Sequence, residues 1–264
     1  MINPFPKPHY IPRPEPRRLP ERKAVTIIVG LCGNDGVVIA ADSQETITGY
    51  IKNERGKIRT TIFHDTNNVF AIAGAGSSDY IDTARDKALE GMGELDDFGK
   101  LKAKLETNLL GFFHKHLAPW AYFPDNERPT VELLIGLTMK KGPYGLFHYS
   151  GTSFHQVSEK AIGAGILLAN DLLSRFSTAG ASVEKSSSIA VYVIWKVKGQ
   201  VDSCGGFTDL VAFRKNGDYA LTESKDIKEV EGVLDHIEKE STTVLKREVE
   251  LKTVKLSWFG GREV

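Results

Sequence analysis

Val25-Thr-Ile-Ile-Val-Gly-Leu-Cys-Gly-Asn-Asp-Gly-Val-Val-Ile-Ala-Ala-Asp-Ser43 is two apolar, β-branched runs around a Gly33-Asn34-Asp35-Gly36 turn. Asp-Gly between such runs is a strong short-range hairpin signal. Both runs are nearly continuous in Val, Ile and Ala, so both faces of this hairpin should be covered. Thr26 stands where the first strand begins and Asp42 where the second ends. In an antiparallel hairpin these ends lie side by side. A hydroxyl and a carboxylate therefore share one end of a buried sheet, where a reactive centre could be built.

Working outward, residues 1–24 form a different segment. Seven prolines, from Pro4 to Pro20, sit among Lys7, Arg13, Arg17, Arg18, Arg22 and Lys23. Proline at this density excludes helix and favours an extended arm. That arm is either solvated, a removable pro-segment, or a strap for a neighbouring subunit. Downstream of the hairpin, 43–57 reads as a connection. Strands are expected at 57–63 and 69–73, with Asp65-Thr66-Asn67-Asn68 as their turn. Gly74-Ala75-Gly76-Ser77-Ser78-Asp79 ends a strand and opens a helix, with Ser77 or Ser78 as N-cap. That helix runs to about Leu89. A second helix fits 97–117, because Leu101, Leu105, Leu109 and Phe112 recur at helical spacing.

Residues 119–129 read as a loop. Strands follow at 131–139 and 146–149, and a short one at 154–158. Helices are expected at 166–176 and 182–197, a hairpin at 211–221 and a charged helix at 225–246. Ile227, Val230, Val233, Leu234 and Ile237 line one face of that last helix. The order is strands, two helices, strands, two helices, strands, helix. Two antiparallel sheets with a helix pair on each outer face satisfy it. The expected fold is thus an α+β, four-layer α/β/β/α sandwich. It occupies one domain, 25–248, with a tail at 249–264.

Composition narrows the function classes. Formal net charge is zero, so neither nucleic acid nor an anionic membrane is expected as a partner. The only cysteines, Cys32 and Cys204, form no framework, which points to a reducing, cytoplasmic compartment. No apolar run approaches the ~20 residues of a membrane span. No cofactor or metal is expected either. Gly163-Ala164-Gly165 lacks the third glycine of a dinucleotide fingerprint. His114 and His116, two apart on a helix, point to different faces. Cys204 has no histidine nearby in sequence and reads as a buried thiol.

The stretch 26–43 resembles the opening of 20S proteasome subunits and of related bacterial N-terminal-nucleophile (Ntn) hydrolases. Phe70-Ala-Ile-Ala-Gly-Ala-Gly-Ser-Ser-Asp79 is similar to that family's small-residue turn before its first helix. Val201-Asp-Ser-Cys-Gly-Gly206 with 210–217 resembles its later Ser-Gly-Gly stretch and closing hairpin. The resemblance covers roughly 25–245 and implies the same sandwich.

It also implies roles. Thr26 would be the nucleophile, freed at its amine by cleavage after Val25, where the family usually carries glycine. Asp42 would hold Lys57, with a one-residue shift, and that cation would favour the alkoxide. Gly74, Ala75 and Gly76 match the turn whose backbone N–H stabilises the oxyanion. The family's orienting serine falls near Ala164. Its Asp-x-x-Ser pair maps onto Asp202 and onto Ser203 or Cys204.

The implied activity is amide cleavage in peptide or protein substrates by a homo-oligomer, a ring being possible. The alternatives are a non-catalytic scaffold subunit that keeps its N-terminal arm, as α-type subunits do, and a small-molecule amidohydrolase on the same fold. Without the resemblance, Thr26 is a β-former in a strand. Asp42–Lys57 is then a surface ion pair worth about 0–1 kcal/mol, and 74–76 a tight turn that needs small residues.

Overall fold

The hairpin forms as its turn chemistry dictates. β1 (Ile27–Cys32) and β2 (Gly36–Asp42) pair antiparallel, with Ile28 opposite Ala41 and Cys32 opposite Val37. The computed structural model describes residues 26–47, 51–54, 56–140, 142–222 and 224–251. The expected N-terminal arm lies outside these residues, as does the tail beyond 251. Among the described residues, no helix is long and apolar enough to cross a membrane.

Segment 43–57 is more than a connection. It holds β3 (Gln44–Ile47) and β4 (Ile51–Glu54), paired as a small two-stranded sheet. Polar composition hid them, because neither strand carries an apolar alternation. β5 (Ile58–Phe63) and β6 (Asn68–Gly76) follow as expected, but β6 runs three residues further than its apolar run. α1 (Ser78–Leu89) and α2 (Phe98–Phe112) come next. Ser77 stands at the N-cap position without a capping bond. Its hydroxyl accepts the Thr130 N–H at 3.3 Å instead, tying the helix start to the next strand. The expected second helix ends in a wider π turn at Phe113–Leu117. The loop beyond it contains short 3₁₀ turns at Ala118–Tyr122 and Asp125–Glu127.

β7 (Val131–Thr138), β8 (Tyr144–Ser150) and β9 (Ser153–Val157) complete one sheet, in the order β5-β6-β7-β8-β9. β10 (Glu159–Gly163) crosses to the other sheet and pairs with β1. Sequence gave no sign of this edge strand, since only Ala161 and Ile162 are buried in it. α3 (Ile166–Ser174), α4 (Val183–Gln200), β11 (Thr208–Arg214), β12 (Tyr219–Thr222) and α5 (Ser224–Leu251) finish the described chain. The second sheet runs β10-β1-β2-β11-β12.

Strand alternation explains the layering. Ile28, Val37, Ile39 and Ala41 point inward against Ala71, Ala73, Leu134 and Leu146 of the facing sheet. Ile27, Val29, Leu31, Val38 and Ala40 point outward onto α3 and α4. On the other side, α1 and α2 cover Phe70, Ile72, Leu133 and Ile135. The four-layer sandwich of two antiparallel sheets is therefore the observed fold. α5 lies partly over α4. Ile227 is buried, whereas Val230, Val233 and Ile237 of the same stripe stay exposed.

Candidate active site

Asp42 ends β2, buried in full. Its Oδ1 accepts from Thr26 Oγ1 at 2.8 Å, from the Ile27 N–H at 3.0 Å and from Lys57 Nζ at 2.7 Å. Its Oδ2 accepts the Gly205 N–H at 3.0 Å. A buried carboxylate is tolerable only with such a set of donors. The three residues named from sequence, Thr26, Asp42 and Lys57, thus meet at one point. They do so across layers, because Lys57 precedes β5 of one sheet while Thr26 and Asp42 belong to the other. The ion pair is not the exposed one that sequence also allowed, since the lysine and aspartate side chains are 11% and 0% exposed.

Thr26 is itself buried, and its carbonyl accepts the Ala164 N–H at 2.8 Å. Gly163 makes this approach possible. Its φ is +101°, and a Cβ there would stand 2.3 Å from the Thr26 oxygen.

Gly74, Ala75 and Gly76 are not a turn, as the sequence suggested, but the end of β6. Each is in register with β7, Gly74 opposite Leu133 and Gly76 opposite Val131. β5 stops where Ile58 faces Ala73, so among the described residues 74–76 have a strand neighbour on one side only. Lys57 directly precedes Ile58 and sits beside that open edge. The glycines also have packing reasons. A Cβ on Gly74 would meet Ile81 Cγ2 at 2.4 Å, and Gly76 has φ +124° against the Thr130 carbonyl.

A cleft of about 640 Å³ opens against this end of the sandwich. Its walls include Ala75, Gly76, Gly163 and Ala164, with Phe113 and Leu117 opposite. It therefore shares a wall with the Gly163–Ala164 segment that abuts Thr26.

Asp202 and Ser203 take other positions. Asp202 is exposed, and its carbonyl accepts Gln44 Nε2 at 3.5 Å. Ser203 is half-buried and hydrogen-bonds Cys204. The loop reaches Asp42 through the Gly205 amide. Burial, then the Asp42 charge, pushes the Cys204 thiol up to about 11, so it is protonated at neutral pH. His114 and His116 rest on aromatic rings, Phe113 and Phe112 respectively.

Sequence reasoning missed Asp209, Gly205 and Arg85. Asp209 Oδ2 accepts the Lys57 N–H at 3.2 Å, and Arg85 donates to the Lys57 carbonyl. Burial raises the Asp209 carboxyl above its ordinary value. One signal was available: Thr208 and Asp209 are polar residues opening an otherwise apolar strand, the same pattern that marked Asp42.

The two large sheets and their helix layers define a four-layer α/β/β/α sandwich protein. The chain is similar to a proteasome β subunit from Archaeoglobus profundus, 25% identical over 203 residues, which are 76% of this chain and 89% of the relative. No protein-family profile matches it. Among solved structures, Anbu, described as an ancestral β-subunit, from Yersinia bercovieri superposes with a TM-score of 0.65 at 11% identity, over 90% of this chain and all of that one. The helical assembly of the Anbu complex from Pseudomonas aeruginosa gives 0.65 at 14%, over 89% of this chain and all of that one. An Anbu mutant from Hyphomicrobium gives 0.65 at 12%, over 84% and 99%. These likenesses establish the fold.

Proposed function

We propose that the chain is a proteasome-like N-terminal-threonine hydrolase that cleaves amide bonds in peptides once the Val25–Thr26 bond is broken. The observation that carries this reading is the Asp42 carboxylate, which gathers Thr26 Oγ1 and Lys57 Nζ on one oxygen. Burying such an ion pair does little for stability compared with apolar packing. A charge pair aimed at a hydroxyl has a chemical use.

In this reading the α-amine freed on Thr26, titrating near ~7.7–8.0, takes the hydroxyl proton. The oxygen attacks the scissile carbonyl, and the Lys57 ammonium stabilises the developing negative charge. Backbone N–H groups on the open edge at 74–76 receive the oxyanion, a contribution typically worth about 10²–10³ in rate. The α-ammonium returns its proton to the leaving amine. Water, deprotonated by the same amine, then hydrolyses the threonyl ester. The cleft beside Gly163 and Ala164 accommodates a substrate side chain.

A scaffold role has one observation in its favour. Ala164, bonded to Thr26 through its amide, has no hydroxyl with which to orient an amine. Intact mass and N-terminal sequencing, followed by a peptide aldehyde or vinyl sulfone, separate the two readings. A chain that begins at Thr26 and is modified there supports the hydrolase. A stable full-length chain, inert to peptides and to both electrophiles, overturns it. The reading includes a cytoplasmic homo-oligomer, as expected from composition and from the resemblance.

A further inference from the structure

We propose that Arg85 and Asp209 are positioning residues that grip Lys57 by its peptide groups and so deliver its ammonium to Asp42 beside Thr26. The inference deepens the hydrolase reading and rests on it for its catalytic meaning. Its geometry stands independently.

Lys57 lies just outside β5; among the described residues the β5–β6 ladder begins at Ile58. Its own peptide groups are taken by side chains from two other layers. Asp209 Oδ2, on β11, accepts the Lys57 N–H at 3.2 Å. Arg85, on α1 and 7% exposed, donates to the Lys57 carbonyl and pairs with Asp82 at 3.1 Å. Asp209 lies opposite Ala41, one position from the Thr208–Asp42 pair, so the clamp and the ion pair share the β2–β11 ladder.

A lysine stem carries about 2 kcal/mol of rotamer freedom. Fixing its root from both sides restricts where Nζ can go. Among the described residues, the groups placed around Lys57 include Asp42 from β2, Asp209 from β11, Arg85 from α1, Thr26 on the same Asp42 oxygen, and the protonated Cys204. Asp42 takes the ammonium and Asp209 the backbone N–H of the same residue, and the Lys57 and Asp42 charges both act on Asp209.

Competitive acetylation of the full-length chain with acetic anhydride, read peptide by peptide, tests the clamp without needing turnover. An ammonium held on a carboxylate should acylate about tenfold more slowly than the exposed Lys100. Arg85→Ala and Asp209→Ala should bring Lys57 to within about threefold of Lys100. Lys198, 11% exposed and paired with Glu231 at 2.7 Å, should stay protected and so report an intact fold. Asp209→Asn should keep Lys57 protected, because its amide oxygen still accepts the N–H. Unchanged Lys57 protection in both alanine variants overturns the proposal, as does loss of Lys198 protection in step with Lys57.

In a processed, active chain the same alanine variants should lower kcat at least about tenfold with KM within about twofold, and Asp209→Asn should recover most of it. An unchanged kcat in both also overturns the proposal. A wild type that neither processes nor reacts removes the hydrolase reading alone, and the acetylation result still decides the clamp.

Discussion

Asp42 takes four donors onto one buried carboxylate. Removing it takes a carboxylate from the Lys57 ammonium, whose side chain is only 11% exposed. Asp42→Ala should therefore cost about 3–5 kcal/mol in denaturant unfolding. Combining it with Lys57→Met should recover part of that loss, since the buried charge goes too. At Asp209 the sign of the pH dependence follows from burial. Its folded-state value is raised, so between about pH 4 and that raised value the native state binds more protons than the unfolded one. Stability from this group falls as pH rises through that window. Asp209→Asn should therefore gain on the wild type across it, and urea melts at stepped pH measure the difference.

At the opposite end of the first hairpin, elements meet through capping as much as through packing. Asp35, chosen from sequence only as a turn residue, also serves α4. Its carboxylate accepts the Val183 N–H at 2.8 Å while Ser182 accepts from Lys185 at 3.3 Å. The first hairpin's turn thus caps the helix that covers its own sheet. Asp35→Ala should cost about 1 kcal/mol in thermal or urea unfolding, the usual loss of a cap. Gly163 fixes another junction, between β10 and Thr26. Gly163→Ala puts a side chain at φ +101° and against the Thr26 carbonyl, so it should destabilise the fold by about 1–3 kcal/mol. It should also slow any reaction at Thr26 more than it changes the melting temperature.

At the scale of the molecule, the two sheets are tied by apolar contact over most of their area and by charge at one end. Each five-stranded sheet mixes strands from early and late in the chain. β10, β11 and β12 join β1 and β2, while β7, β8 and β9 join β5 and β6. Among the described residues, the stripe of α5 at Val230, Val233 and Ile237 remains exposed. The homo-oligomer proposed above can be tested directly. Sedimentation or native mass spectrometry should give a mass that is a multiple of 29.1 kDa for the full-length chain. A monomer at micromolar concentration would contradict that expectation.

The sequence by itself determined the first hairpin, the helix pairs and the sandwich class. Those follow from short-range turn chemistry and from apolar periodicity, which a chain carries locally. It also marked Thr26 and Asp42, because polar residues ending an apolar run are conspicuous. Only the tertiary structure decided that 74–76 is a strand edge, that Gly205 supplies the fourth donor, and that β10 crosses sheets. Arg85 and Asp209 became visible only there as well. Their partners lie 28 and 152 residues away, and the bonds are made to the backbone of Lys57. A peptide group looks alike at every position, so no residue pattern announces which one a distant side chain will hold.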